Sequence, residues 1–112
     1  FGSVSGLLGR NLNSNYAAAK RALESFFESL AFENINTNLK VQFYTLGYLN
    51  TNLAFGKKLI FPKGSINKLA KLVYKNRNMK MVKTFFPYYW SVVALILKLV
   101  PVKFLINFKK LF

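Results

Sequence analysis

Residues 16–33 decide the fold of this chain, and their sequence is YAAAKRALESFFESLAFE. Three alanines follow the tyrosine, and alanine is the strongest helix former. Apolar residues then recur at spacings of three and four, which places them on one face of a helix. The members of this stripe are Ala19, Leu23, Phe26, Phe27, Leu30 and Ala31. The sequence therefore predicts a helix from Tyr16 to Glu33, with Ser14 or Asn15 as its N-cap.

Strands and further helices are predicted around this helix. Residues 1–5, 39–46 and 79–86 are short segments with β-forming residues and predict strands. Residues 65–75 predict a second helix with Ser65 as N-cap, and residues 48–64 predict a long loop. The order strand–helix–strand–helix–strand indicates an α/β fold with a parallel sheet. Residues 87–112 follow as a tail of two short helices separated by Pro101, so we divide the chain into 1–86 and 87–112.

The composition excludes several kinds of site. The chain contains no Cys, no His and no Asp, so thiolate and imidazole metal sites, disulfides and the Ser-His-Asp triad are excluded. We expect no metal. The three acids, Glu24, Glu28 and Glu33, all lie in one predicted helix, which argues against a two-carboxylate glycosidase. Tyrosine, lysine and arginine remain as the titratable groups for chemistry.

The basic charge is concentrated in the second half of the chain. Residues 57–112 contain 13 Lys or Arg and no acid, whereas residues 1–56 contain four basic and three acidic residues. A half of this charge could bind anionic lipid, phosphate-bearing substrates or nucleic acid. The alternative explanation of the charge is a general compositional bias towards Lys, Asn, Ile, Phe and Tyr. No nucleic-acid reading module is recognisable, so we expect no nucleic-acid partner. The longest apolar run, residues 92–97, is far shorter than the roughly 20 residues needed to span a bilayer. We therefore expect no membrane-spanning helix. The expected location is the cytoplasm, with peripheral contact to the membrane as an alternative.

Tyr16 and Lys20 form the pattern Y-x-x-x-K at the start of the predicted helix. Their i, i+4 spacing places both side chains on one face. A lysine ammonium close to a tyrosine hydroxyl stabilises the phenolate, which lets the tyrosine exchange a proton with a substrate oxygen. The pattern alone also occurs as an ordinary surface pair, so its surroundings decide its meaning.

Those surroundings resemble the short-chain dehydrogenase/reductase family over residues 2–30. Residues 2–6 have the form G-S-V-x-G, Ser3 precedes Tyr16 by 13 residues, and A-L-E-x-F-x-E-S-L follows Lys20. Over the same residues the likeness to members that act on hydroxysteroids is strong. It implies that the chain is the C-terminal part of a doubly wound, Rossmann-like domain that uses NAD or NADP to interconvert a ketone and an alcohol.

The resemblance also implies roles for individual residues. Ser3 would hold the substrate carbonyl, with Ser5 as its competitor for that role. Tyr16 would be the acid/base. Lys20 would bind the cofactor ribose and stabilise the Tyr16 phenolate. Helix 16–33 would form the interface of a homo-oligomer.

A second motif of the family, P-G-x-V-x-T, corresponds to LGYLNT at residues 46–51. Gly47 and Thr51 match, and Leu46 departs from the usual proline. By resemblance the Leu49 backbone and the Thr51 hydroxyl would meet the nicotinamide carboxamide, and a loop cap is the alternative role for Thr51. The glycines at 2, 6 and 9 do not open a helix, so we expect the pyrophosphate-binding turn upstream of Phe1. We therefore expect residues 1–112 to be inactive alone.

The tail resembles that of family members acting on polyprenyl-phosphate-linked keto-sugars, which implies a hydrophobic or lipid-linked ketone or alcohol as substrate. Tyr88, Tyr89 and Trp90 suit an interface, and the basic, aromatic residues 103–112 would lie on an anionic membrane surface. Packing of the same residues on the sheet or on a dimer partner is the alternative. A non-catalytic, basic membrane-binding module is the competing function.

Overall fold

A computed structural model describes residues 1–6, 14–50 and 62–105, without the side chains of Val102 and Leu105. The strands are β1 (Gly2–Ser3), β2 (Val41–Leu46) and β3 (Met81–Phe86). The helices are α1 (Ser14–Glu33), α2 (Ile66–Lys75), α3 (Trp90–Leu99) and α4 (Val102–Leu105), and a 3-10 turn, Val4–Gly6, follows β1. Thr51 and residues 106–112 lie outside the described residues.

The three strands form one parallel sheet in the order β1–β2–β3. Ser3 pairs with Leu46, and Leu46 pairs with Phe86, so the last residues of all three strands lie side by side. The α/β architecture predicted from the sequence is confirmed, with helices between successive strands and a short helical tail. The carboxyl ends of the strands therefore share one edge of the sheet.

Helices cover the two faces of the sheet. On one face, Tyr44 of β2 and Val82 of β3 pack with Leu69 of α2 to form the core. Side chains of a strand alternate between faces, so Phe43 points the other way and its ring centroid lies 5.8 Å from that of Phe27 in α1. The Tyr44 hydroxyl donates to Gln42 Oε1 at 2.7 Å and accepts from Asn76 Nδ2 at 3.0 Å, which ties the end of α2 to β2.

The predicted helices are confirmed, with one correction at an N-cap. α1 ends at Glu33 as expected but begins at Ser14, so Ser14 and Asn15 lie inside its first turn and neither caps it. Ser65 does cap α2, and its side chain accepts a hydrogen bond from the Lys68 amide at 3.4 Å.

Each predicted strand is shorter in the structure. Beyond Ser3 the chain enters the 3-10 turn, because the Ser3 hydroxyl accepts a hydrogen bond from the Ser5 amide at 3.1 Å. β2 begins two residues late, because the Thr37 hydroxyl accepts from the Leu39 amide and holds that segment in a turn. β3 likewise begins at Met81 and not at residue 79.

The apolar stripe of α1 is only partly covered. Ala31 is buried, and Leu23, Phe27 and Leu30 are half-buried, but Ala19 and Phe26 are exposed. Ala17 is buried instead, so the helix is rotated towards the side that carries its glutamates. The uncovered part of the stripe faces away from the sheet.

The tail is attached to the sheet through Trp90. This side chain is fully buried, so of the two alternatives given above Trp90 packs on the sheet and does not lie at an interface, whereas Tyr88 is 82% exposed. Pro101 separates α3 from α4 as predicted. The division of the chain into 1–86 and 87–112 stays a prediction. None of the helices within the described residues has both the length and the apolar character needed to cross a membrane.

Candidate active site

Ser3 and Gly47 lie next to each other at the carboxyl edge of the sheet. Ser3 ends β1 in register with Leu46, and Gly47 is the next residue along β2. The half-buried Ser3 hydroxyl accepts one hydrogen bond, from the Ser5 amide. A serine hydroxyl has one proton to donate in addition, so Ser3 retains the capacity to hold a substrate oxygen. Ser5 lies in the turn that follows.

Tyr16 and Lys20 occupy the first turns of α1. The Lys20 Nζ lies 5.6 Å from the centroid of the Tyr16 ring, so the predicted placement on one face is confirmed. Tyr16 is 49% exposed. Because α1 connects two parallel neighbours, β1 and β2, it starts at their carboxyl edge and runs back. This connection puts Tyr16 at the same edge as Ser3, with its side chain open to a ligand.

Gly47 is held in place by two contacts. Its amide donates to the Phe86 carbonyl at 2.8 Å, which extends the pairing of β2 with β3 by one residue. The indole of Trp90 lies directly over it, and a Cβ added at position 47 would come within 2.6 Å of the Trp90 Cδ1 atom. Only glycine fits this position without displacing the indole.

The amide and carbonyl of Leu49 have no hydrogen-bond partner among the residues that the structure describes. Leu49 forms an isolated parallel bridge with Gly64, made by the Tyr48 carbonyl and the Asn50 amide. In a parallel bridge the amide and carbonyl of the central residue point away from the partner. The Leu49 amide and carbonyl therefore offer a donor and an acceptor together, which fits a carboxamide such as that of nicotinamide. Thr51, the remaining predicted cofactor contact, lies outside the described residues.

A groove of about 740 Å³ lies between α1 and α3 on the sheet face opposite α2. Its lining includes Glu24, Glu28, Lys83, Leu95 and Lys98. Ser3, Tyr16, Lys20 and Gly47 are not among its described lining residues, so this groove and the candidate site are separate features.

Lys83 joins β3 to α1 inside that groove. Its Nζ lies 3.2 Å from a Glu24 carboxylate oxygen and donates a hydrogen bond to Glu28. The hydrogen bond to Glu28, with further help from Glu24, raises the pKa of Lys83 despite the opposing effect of burial. Two of the three acids in the chain thus hold α1 against the sheet.

The comparisons with known proteins decide the family. Residues 1–58 match the short chain dehydrogenase family. The hydroxysteroid 11-beta-dehydrogenase 1-like protein A of Xenopus laevis is 34% identical over 100 residues, which cover 85% of this chain. The chain belongs to the short-chain dehydrogenase family.

A second member of the family agrees with this assignment. The hydroxysteroid 11-beta-dehydrogenase 1-like protein B of Xenopus laevis is 32% identical over 100 residues. The chain spans about a third of the length of these relatives, since the matched segment is 34% of each. No solved structure matches the chain significantly.

The sequence alone did not show the contacts of Trp90 and Lys83. It left Trp90 either at an interface or packed on the sheet, because an isolated glycine at position 47 does not reveal which aromatic side chain covers it. The ion pairs of Lys83 could not be predicted, because any of the 17 Lys and Arg residues could pair with the three acids. The i, i+4 spacing of Glu24 and Glu28 was the available signal that a single cation lies between them.

Proposed function

We propose that residues 1–112 supply the catalytic tyrosine of an NAD(P)-dependent oxidoreductase that interconverts a ketone and an alcohol. The observation that supports this most is the half-exposed Tyr16, with Lys20 beside its ring, at the sheet edge that also holds Ser3. Membership of the short-chain dehydrogenase family makes an oxidoreductase the expected class.

The residues of this chain perform the proton chemistry in this proposal. In the reductive direction Ser3 donates a hydrogen bond to the substrate carbonyl oxygen, and the Tyr16 hydroxyl gives that oxygen its proton. Lys20 stabilises the tyrosinate that remains and binds the cofactor ribose. When bound, the nicotinamide supplies or accepts the hydride at carbon. The reverse direction uses the Tyr16 phenolate as the base.

The cofactor contacts proposed for this chain lie after β2. Leu49 offers its amide and carbonyl to the nicotinamide carboxamide, Gly47 keeps the preceding backbone close to the sheet, and Thr51 adds its hydroxyl. Either NAD or NADP is compatible with these contacts. Binding of the pyrophosphate needs a Gly-rich turn at a helix N-terminus, so we assign the activity to a polypeptide that includes such a turn in addition to residues 1–112.

Cofactor binding tests this proposal directly. NADH and NADPH are titrated into the complete polypeptide that contains residues 1–112, and nicotinamide fluorescence is recorded. We expect binding of at least one cofactor, weakened about tenfold or more by Lys20→Met because ribose hydrogen bonds to a charged group are lost. Lys71→Met on the exposed side of α2 is the matched control and should bind normally. If neither cofactor binds the unmodified protein, the oxidoreductase proposal is wrong.

The proposed substrate is a small or lipid-linked ketone or alcohol of hydrophobic character. The support is the resemblance of the tail noted above, together with the word hydroxysteroid in the names of both relatives. We further propose a homo-oligomer formed through helix 16–33. The exposed Ala19 and the 60% exposed Phe26 give that helix an uncovered apolar strip for a second copy.

A second candidate function, contact with a membrane surface through residues 87–112, is supported by α3. The side of this helix opposite Trp90 and Ala94 is also apolar and is 53–75% exposed at each position: Val92, Leu95, Ile96 and Leu99. A helix that is apolar all round is normally covered on all sides. Lys98 and Lys103 border this surface, which suits anionic headgroups. The proposed location is cytoplasmic with peripheral contact to the membrane.

Sedimentation with phosphatidylserine vesicles tests the membrane contact. We expect binding that weakens with salt and that falls in the double variant Leu95→Ser, Leu99→Ser. The double variant Lys71→Gln, Lys75→Gln removes charge from α2 on the other face of the sheet and should bind better than the leucine variant. Equal loss in both variants would contradict a contact through α3.

A further inference from the structure

The segment that follows β2 is closed at its base by backbone pairing. Residues 48–50 lie alongside Gly64, because the Gly64 amide donates to the Tyr48 carbonyl at 2.7 Å and the Asn50 amide donates to the Gly64 carbonyl at 2.9 Å. The start and the end of this segment therefore meet at the carboxyl edge of the sheet. Leu49 lies in the middle of this pairing. A contact that fixes either of the two paired segments therefore also fixes the backbone of Leu49.

Three residues that follow β3 contact both sides of this base. Trp90 covers Gly47 on the entering side. The Tyr89 hydroxyl donates a hydrogen bond to the Pro62 carbonyl at 2.5 Å on the leaving side. Pro87 packs against Gly64, where an added Cβ would lie 2.9 Å from the Pro87 Cγ atom. We call Pro87, Tyr89 and Trp90 the clamp.

The contacts of the clamp are well suited to hold a fixed geometry. Trp90 is fully buried, and its ring centroid lies 5.7 Å from that of Tyr89, so the two aromatic rings support each other. Burial raises the pKa of the Tyr89 hydroxyl above its ordinary value despite the opposing effect of its hydrogen bond with Trp90. Position 46 is a leucine, so no proline ring fixes the backbone just before Gly47. The restraint on the turn at Gly47 comes from the hydrogen bond of its amide to the Phe86 carbonyl and from the Trp90 indole that covers it.

We propose that Trp90 and Tyr89 are positioning residues that hold the turn from Gly47 to Leu49 in the orientation needed for the nicotinamide. This inference rests on the proposed oxidoreductase function. Neither side chain contacts the reacting atoms. Both act through the backbone of the turn, whose Leu49 amide and carbonyl form a useful pair of hydrogen-bonding groups only when their direction is fixed.

The first test needs no cofactor, because Trp90 is the only tryptophan of the chain. Its fluorescence in the 112-residue chain reports directly on the clamp. Tyr89→Phe removes the hydroxyl that bonds to the Pro62 carbonyl and to the Trp90 side chain. It should increase the exposure of Trp90 to a soluble quencher about fivefold, since the loss of a hydrogen bond shifts a local opening equilibrium by that factor. Tyr88→Phe is the matched control, because the neighbouring Tyr88 side chain is exposed. Equal quenching in the two variants overturns the clamp.

The second test measures cofactor affinity in the complete polypeptide. We expect Tyr89→Phe to raise the dissociation constant and the KM for the cofactor about fivefold while kcat changes little, and Tyr88→Phe to change neither. Identical cofactor affinity in both variants, with normal binding by the unmodified protein, overturns the positioning role and leaves the oxidoreductase proposal intact. If the unmodified protein binds no cofactor, the positioning role is wrong together with the oxidoreductase proposal.

Discussion

Replacing Lys83 by methionine should lower the free energy of unfolding by about 1 kcal/mol at neutral pH and low salt. Lys83 holds Glu24 at 3.2 Å and donates a hydrogen bond to Glu28, so the change breaks two ion pairs between β3 and α1. The side chains of Lys83, Glu24 and Glu28 are 43%, 26% and 39% exposed, so water screens both pairs. Exposed pairs contribute about 0.2–1 kcal/mol each, which gives the expected total.

The dependence of this loss on pH and salt identifies its cause. The hydrogen bond to Glu28 raises the pKa of Lys83 in the folded state. The stabilisation is therefore complete below the unfolded lysine pKa of about 10.4 and is lost as pH rises through the higher folded-state value. Screening should also reduce it in about 1 M salt.

Urea unfolding of the 112-residue chain and the variant, at neutral pH and at a pH above the folded-state value, measures these effects. Lys71→Met removes an exposed lysine of α2 and controls for the change in net charge. The loss in Lys83→Met should exceed that in Lys71→Met at neutral pH and should vanish at the higher pH. A loss of more than about 3 kcal/mol that does not change with salt concentration would indicate a buried ion pair. Such a result would contradict two solvent-screened pairs between Lys83 and α1.

Three further changes test the packing of the sheet and α2, each by the same unfolding assay. Leu69→Ala should cost about 2–5 kcal/mol because Leu69 is 6% exposed in the core, whereas Ile66→Ala, at a 47% exposed position of the same helix, should cost far less; similar costs would contradict the assignment of the core. Tyr44→Phe should lower the free energy of unfolding by about 1–2 kcal/mol, because the two hydrogen bonds of the Tyr44 hydroxyl are lost. An unchanged free energy of unfolding would mean that water replaces these bonds. Ser65→Ala should cost about 1 kcal/mol through the N-cap, and a cost near zero would contradict a capping role.

Local patterns in the sequence were sufficient to predict the elements of the fold. The spacing of apolar residues identified α1, and Ser65 followed by an apolar repeat identified both α2 and its cap. Pro101 marked the break between α3 and α4. These signals depend on neighbours a few residues apart, so they appear in a single sequence without knowledge of the tertiary structure.

Contacts between distant segments were not predictable in this way. The pairing of Lys83 with Glu28 joins residues 55 positions apart, and the packing of Trp90 on Gly47 joins the tail to the end of β2. The burial of Ala17 and the contacts of Glu24 with Lys83 show that α1 is rotated towards this side, which the apolar pattern alone cannot show. The parallel topology brings Ser3, Tyr16 and Gly47 to one edge of the sheet. Their roles remain proposals.

The measurement that tests the central claim most directly is ketone reduction by the complete polypeptide with NADH or NADPH, compared between Tyr16→Phe and Tyr74→Phe. Tyr74 is a matched control, since it is 67% exposed on α2 and its ring lies 4.0 Å from the Arg77 guanidinium. We expect Tyr16→Phe to keep cofactor binding but to lose about 10²–10⁴-fold in kcat, while Tyr74→Phe remains fully active. Full activity of Tyr16→Phe would contradict the role of Tyr16 as the acid/base.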